Sequence, residues 1–145
     1  MRVTFCGHAE IAQPEAVQCW LSKTINLLIE QGADTFYLGG YGAFDCMAAK
    51  TVWELKRSRP DIRSVLVLPY LEHSVSTAAY DSTVYPSLEH VPRQYAIIKR
   101  NEYMVKWADV VLAYVLYSWG GAARTLAYAT RKKKRIIQFS RTSGE

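Results

Sequence analysis

Three glycine-bearing segments of the sequence have the residue types that bind phosphate groups. They are Cys6-Gly7-His8, Gly39-Gly40-Tyr41-Gly42 and Ser118-Trp119-Gly120-Gly121, and each stands between a predicted strand and a predicted helix. Glycine lets the backbone approach a ligand closely and adopt left-handed conformations. The helix that follows offers unpaired amide hydrogens and the positive end of its dipole. Two Gly-Gly pairs at such junctions therefore predict a pocket for a ligand with phosphates, with simple tight turns as the alternative.

The glycine spacing differs from the standard nucleotide motifs. It is not G-x-G-x-x-G after the first strand, so an NAD-type site is not indicated, and there is no G-x-x-x-x-G-K-[ST] P-loop. Cys6, Cys19 and Cys46 match no metal-ligand spacing and no disulfide framework. We therefore expect no bound metal and no cofactor. All three cysteines are predicted to be small buried apolar residues, the alternative for Cys6 being a place in the pocket wall.

Polar side chains close to the glycines are candidates for contacts with the ligand. Asp45 would accept a hydrogen bond from a ribose hydroxyl or a base, or would simply favour the start of its helix. Ser118 and Thr125 flank the second Gly-Gly pair and could donate to a phosphate. Arg100, followed by Asn101, would reach an anion or be an ordinary exposed helix arginine.

Two aromatic rings beside the glycines each fit more than one role. Trp119 would stack on a base or pack against the first helix. His8 has only Glu10 as a nearby carboxylate in the sequence, and no nucleophile motif accompanies it. We interpret it as a structural or ligand-contacting histidine rather than a catalytic base.

The elements that position these residues follow from the hydrophobic periodicity. Apolar positions alternate between strand and helix spacing along the chain, which predicts strands at 3–6, 35–38, 62–68, 110–115 and 135–139 and a helix in each interval. Such alternation indicates an α/β fold: a Rossmann-like three-layer sandwich with a mostly parallel five-stranded sheet and helices on both faces. With strand order 3-2-1-4-5, the three glycine segments would meet at the carboxyl edge, where open sheets bind ligands.

The segment 69–92 lacks any periodic pattern. A connection of that length is uncommon in a compact domain unless it is functional. It contains several aromatic and charged side chains, and we predict that Tyr80, Asp81 and Tyr85 cover a bound ligand as a lid.

Length and composition predict one domain. The chain has 145 residues and a net charge of +5, which is ordinary globular composition. We expect a single domain over 1–139 and a flexible tail over 140–145. No apolar run approaches the ~20 residues that cross a bilayer and no signal peptide is recognised, so we expect a cytoplasmic protein that does not bind membranes. The basic run 131–135 is interpreted as a solvated helix end, with nucleic-acid binding as the alternative.

These residues together resemble the SLOG superfamily, the Rossmann-like proteins that include the DprA/Smf and Lonely-guy types, and especially its small single-domain firmicute and phage members. The resemblance spans nearly the whole chain and rests on 3–8, 39–45 with 48–49, 67–70, 100–105, 118–123 through 128–129, and 134–137. It implies a nucleotide pocket, ligand sensing in bacterial and phage conflict systems, and association into a homo-oligomer. The aromatic residues Trp20, Trp53 and Trp107 are compatible with such association and equally with a core.

The sequence departs from the Lonely-guy enzymes at a critical position. Those enzymes cleave the N-glycosidic bond of nucleoside monophosphates with an arginine and the glutamate of a P-G-G-x-G-T-x-x-E motif. Aligned on Gly120-Gly121, the glutamate position is Ala127 and the proline position is Trp119. Relatives often carry arginine where this chain has Ala9. The resemblance therefore favours binding over cleavage.

Three hypotheses follow. The first is binding of a nucleotide-derived small molecule without turnover. The second is a nucleotide hydrolase that would use Asp45, Glu102, His8 or Asp81, and the third is DprA-like nucleic-acid binding. The predicted ligand-binding residues are Gly7, His8, Gly39, Gly40, Gly42, Asp45, Pro69, Tyr70, Arg100, Asn101, Ser118, Trp119, Gly120, Gly121 and Thr125.

Overall fold

The structure is a computed structural model that describes residues 1–73 and 76–140. Six parallel strands form one sheet in the order β4-β3-β2-β1-β5-β6. The strands are β1 (Arg2–Gly7), β2 (Thr35–Leu38), β3 (Arg63–Val67), β4 (Ser82–Val84), β5 (Val110–Tyr114) and β6 (Arg135–Gln138). The helices are α1 (Pro14–Glu30), α2 (Ala43–Leu55), α3 (Ala96–Trp107) and α4 (Gly120–Arg131), with a short 3-10 turn, Arg93–Tyr95, before α3. The predicted α/β Rossmann-like fold is confirmed.

The first helix follows directly from its sequence. Pro14 occupies the first helical position, where its missing amide costs nothing. The predicted apolar stripe is buried in full: Val17, Trp20, Leu21, Ile25, Leu28 and Ile29. Gly32, with φ of 111°, ends the helix in a left-handed conformation that disfavours other residues.

The sheet separates two layers of helices. Along β1, Val3 and Phe5 point into the main core beneath α1 and α2, whereas Cys6 packs with Val105 of α3 and Ala129 of α4. This is the period-2 alternation of a strand covered on both faces. Because all the strands of the sheet run parallel, each helix begins at the carboxyl edge of the sheet and ends at the amino edge.

A sixth strand was missed because it is short. β4 has three residues and pairs in parallel with β3 at the sheet edge, and three residues are too few to show a period. The other five strands have the order expected for them. Part of the segment 69–92 thus belongs to the sheet.

The prediction that all three cysteines are buried was wrong for two of them. Cys6 is buried, but Cys19 and Cys46 are exposed because they lie on the outer faces of α1 and α2. On α3, Ile97 and Trp107 are 41% and 46% exposed, whereas Arg100 is 2% exposed. The predicted tail over 140–145 falls, after Ser140, outside the described residues. Within the described ranges, no helix has the length and apolar character needed to cross a membrane.

Candidate functional site

A cavity of about 360 Å³ opens at the carboxyl edge of the sheet, where β1, β2 and β5 end. The glycine segments after these three strands and one side of α3 form its walls. Eleven of the fifteen predicted ligand-binding residues line it: Gly7, His8, Gly39, Gly42, Asp45, Arg100, Asn101, Trp119, Gly120, Gly121 and Thr125.

Four predicted residues lie outside this lining. The amide of Gly40 donates to Asp45. Pro69 is buried two residues after the end of β3. The hydroxyl of Tyr70 donates to the carbonyl of Arg93, whose guanidinium lies over the Tyr70 ring. Ser118 is exposed. None of the four residues forms part of the cavity wall.

Other lining residues were not predicted as ligand contacts. The important ones are Tyr41, Ile97 and Tyr117, and the rest are Phe5, Cys6, Ala9, Met104 and Ala122. Tyr41 lies within one glycine segment and Tyr117 directly precedes another. Their positions in the sequence could therefore have identified them as candidate ligand contacts. Ile97 is an apolar residue of α3, and its type gave no sign of a ligand contact.

Asp45 lies at the start of α2 and holds the loop after β2. Its Oδ2 accepts hydrogen bonds from the amides of Gly39 and Gly40. Burial raises the pKa of Asp45, while Arg100 and these amides act in the opposite direction. A Cβ on Gly39 would lie 2.9 Å from Asp45 Oδ2, so glycine is needed there for this contact.

Arg100 is buried beneath the cavity and binds the ends of two strands. Its Nη1 donates to the carbonyls of Gly39 and Val67, both at 2.8 Å, and its Nε donates to Asn101 Oδ1 at 2.9 Å. Burial lowers the pKa of the guanidinium and Asp45 raises it. The interpretation of Arg100 as an ordinary exposed arginine is therefore wrong.

Three rings form a stack that leads out of the cavity. His8 stacks on Tyr117 with centroids 3.9 Å apart, and Tyr117 stacks on Trp119 with centroids 4.3 Å apart. Trp119 is 68% exposed, which argues against packing on α1. Its outer face is available to a flat ring, the arrangement that aromatic stacking prefers.

His8 is held in one neutral tautomer. Its Nε2 accepts a hydrogen bond of 2.9 Å from the amide of Leu116, so the proton of the neutral ring is on Nδ1. Burial lowers the pKa of His8. An Nε2 that is already accepting is unavailable as a base, in agreement with a structural or ligand-contacting role.

The glycines and Cys6 set the shape of the wall. A Cβ on Gly7 would lie 2.2 Å from the Phe44 ring, whereas a Cβ on Gly121 would meet nothing within 4 Å. Gly120 is the first residue of α4 and Gly121 the second, and the φ of 91° at Gly120 is one that glycine tolerates best. Burial raises the pKa of the Cys6 thiol to about 12, which makes it a poor nucleophile.

The three residues predicted as a lid lie elsewhere. Asp81 precedes β4, and its Oδ2 accepts from the amide of Ser64 at the amino edge of the sheet, while Lys56 binds its Oδ1. Tyr80 packs against the main core. Tyr85 follows the carboxyl end of β4, and none of the three lines the cavity.

The cavity has few charged groups. Arg100 and Asp45 contribute opposite charges, and His8 is neutral. Within residues 1–73 and 76–140, no three His, Cys, Asp or Glu side chains are grouped as a metal site. The arrangement can bind a flat ring and an anionic group at helix amides.

Comparison with known proteins finds solved structures with a similar fold. No family model and no curated protein sequence matches the chain. Among solved structures, TM1055 superposes with a TM-score of 0.62 and 18% identity, over 94% of this chain and 72% of that one. The molybdenum cofactor carrier protein of Chlamydomonas reinhardtii gives 0.64 and 17%, over 94% and 75%.

DNA processing protein A from Helicobacter pylori, a structure described for its single-stranded DNA binding mode, gives a TM-score of 0.65 and 16% identity. The match covers 95% of this chain and 64% of that protein, so this chain spans less than two thirds of it. At these identities the likeness concerns the fold. The chain therefore has the Rossmann-like α/β fold of these three proteins.

Proposed function

We propose that this chain binds a nucleotide or nucleotide-derived phosphate ligand in the cavity at the carboxyl edge of the sheet. One observation carries the proposal: the exposed ring of Trp119 and the open first turn of α4 at Gly121 line the same cavity. A base would stack on the ring, and a phosphate would accept hydrogen bonds from amides at the positive end of the helix dipole.

The charges of the cavity indicate how the phosphate would be held. Nη1 and Nε of Arg100 are already engaged by Gly39, Val67 and Asn101. Asp45 places a carboxylate close to this guanidinium. Backbone amides of α4 would therefore provide most of the anion binding, with Arg100 contributing a positive potential.

Binding without turnover is favoured over hydrolysis. Of the four candidate catalytic residues, Glu102 pairs with Lys99 and Asp81 with Lys56, and neither lines the cavity. His8 uses its Nε2 to accept from a backbone amide. Asp45 is held by the Gly39 and Gly40 amides, and Ala127 is exposed and outside the cavity lining. None of these four side chains is both unengaged and placed in the cavity to act as a general base.

The structural neighbours bind different ligands, a molybdenum cofactor in one case and single-stranded DNA in another. A cavity with one arginine and one aspartate suits a small molecule better than a polyanion. We further propose that the ligand is sensed or sequestered by a cytoplasmic homo-oligomer in bacterial or phage conflict signalling. Light scattering tests the assembly.

Isothermal titration against mono-, di- and cyclic nucleotides and ADP-ribose tests binding. Gly121→Asp is the informative variant because its side chain has free space, and an acidic residue in the first turn favours a helix. Repulsion of the phosphate should lower affinity at least about tenfold. Gly121→Asn, of nearly the same shape and without charge, is the matched control and should retain more of the affinity.

Two results would contradict this proposal. One is the absence of binding to every nucleotide of the panel. The other is equal affinity of the wild type, Gly121→Asp and Trp119→Ala for a nucleotide that does bind. Release of free base from nucleoside monophosphates, lost in Asp45→Asn, would instead establish the hydrolase alternative.

A further inference from the structure

A second group of aromatic and basic residues lies at the amino edge of the sheet, where α3 and α4 end. We call it the amino-edge patch, and it consists of Lys106, Trp107, Tyr128 and residues 131–135. It contains six cationic side chains, Lys106 and those of 131–135. These residues take no part in the cavity.

Direct contacts unite the patch across the two helices. Lys134 Nζ donates to the carbonyl of Lys106 at 3.0 Å, which joins the end of α4 to the end of α3. Lys106 Nζ lies 5.6 Å from the Trp107 ring centroid. Arg131 and Lys132 lie 5.7 and 5.5 Å from the Tyr128 ring centroid. Each of the two rings therefore has at least one cation beside it.

Among the described residues, the cations of the patch, Lys106 and those of 131–135, have no carboxylate at salt-bridge distance. The nearby carboxylate of Asp109 accepts from the backbone amide of Arg2. Lys132 and Lys133 are exposed, and Trp107 is 46% exposed. Such a surface attracts a polyanion.

We propose that the amino-edge patch binds single-stranded nucleic acid, at a site separate from the nucleotide cavity. Phosphates would lie against the cations of 131–135, and a base would stack on the half-exposed ring of Trp107. Single strands are bound in this way, by basic grooves with stacking aromatics. An anionic protein or a lipid surface would use the charges but would not require a stacking ring. A requirement for the Trp107 ring would therefore distinguish nucleic acid from these other partners.

Fluorescence anisotropy with labelled twelve-nucleotide dT and rU oligomers tests the proposal on the intact chain. With about four phosphate contacts, raising the salt from ~50 to ~200 mM should weaken binding about 50-fold. Lys132→Gln with Lys133→Gln should lower affinity at least about tenfold and reduce the salt slope by about 1.4. Lys23→Gln with Lys50→Gln makes the same charge change on α1 and α2, in the opposite layer, and should have little effect.

Stacking requires its own variants. Trp107→Leu keeps an apolar side chain without the aromatic face and should weaken oligomer binding about tenfold, whereas Trp107→Phe should retain most of it. Thermal unfolding of each variant shows that it is folded.

Absence of oligomer binding at low salt would overturn the proposal. So would equal losses in the two lysine pairs, an unchanged affinity in Trp107→Leu, or binding to anionic vesicles in place of oligomers. Because Gly121→Asp leaves this surface intact, oligomer binding in that variant separates failure of this site from failure of the cavity.

Discussion

Replacing Arg100 by alanine should destabilise the fold strongly, although the residue resembles an ordinary helix arginine in the sequence. Its side chain is 2% exposed, and its Nη1 donates to the Gly39 and Val67 carbonyls. Removing it leaves two buried acceptors without these donors and Asp45 without its neighbouring cation. A buried acceptor left unpaired costs about 1–3 kcal/mol, so the loss of both carbonyl partners should cost roughly 3–5 kcal/mol in total. Since domains are stable by only ~5–15 kcal/mol, this loss would be a large share of the total.

Urea unfolding followed by far-UV circular dichroism measures this cost. With a slope of ~2 kcal/mol per M, the midpoint for Arg100→Ala should fall by roughly 1.5–2.5 M. Arg124→Ala, on an exposed residue of α4, is the matched control and should change the free energy of unfolding by less than about 0.5 kcal/mol.

A double-mutant cycle identifies the origin of the loss. Asp45→Asn should cost less in the Arg100→Ala background than alone, with a coupling of about 1–3 kcal/mol. A change below about 1 kcal/mol for Arg100→Ala, or additive effects of the two substitutions, would refute the reasoning. The first would show that the carbonyls find other donors, and the second that the two charges do not interact.

Three further predictions concern single residues. Protonation of His8 would oppose the Leu116 amide, and burial lowers its pKa from 6.5. The unfolded state therefore binds more protons, so stability should fall as the pH drops below about 6.5, and His8→Gln should flatten this decline in urea midpoints; an identical decline in both proteins would contradict it. Gly121→Ala should increase the free energy of unfolding by up to about 1 kcal/mol, because the added Cβ meets no atom and alanine favours a helix. The melting temperature should therefore rise slightly, and a lower melting temperature would show a hidden clash. For Asp81, burial raises the pKa but hydrogen bonds from Lys56 and Ser64 lower it overall, so its contribution should be present at neutral pH and lost below pH ~4. Asp81→Asn should remove that part of the acid sensitivity, and unchanged acid unfolding would argue against it.

The general architecture could be predicted because the local signals are strong. The stripe on α1 is complete over 17 residues, and Pro14 and Gly32 mark its two ends. The continuous apolar run that became β3 indicates a strand covered on both faces. Once five strands alternate with helices, the parallel order and the edge that holds the glycine segments follow from general rules of α/β folds.

The errors concern contacts between distant parts of the chain. Arg100 is buried because the carbonyl ends of β2 and β3 meet above α3, which no local pattern of α3 reveals. The face of α3 that is turned toward the sheet is therefore not its apolar face alone. Ile97 lines the cavity, and Trp107 is exposed at the end of the helix. Asp81 was assigned to a lid because a strand of three residues gives no periodic signal, although its carboxylate binds β3.

The two proposed sites differ in their source of positive potential, and the fold itself explains why. In a parallel sheet each helix starts at the carboxyl edge and ends at the amino edge. The cavity therefore has helix amides at Gly120 and Gly121, whereas the amino-edge patch has the cationic side chains that stabilise a helix end. β1, with six residues, separates the two edges by roughly 20 Å. Since substitutions farther apart than about 10 Å usually act additively, Gly121→Asp and the Lys132–Lys133 double variant should impair nucleotide and oligomer binding independently, and a strong coupling between them would mean that one ligand spans both edges.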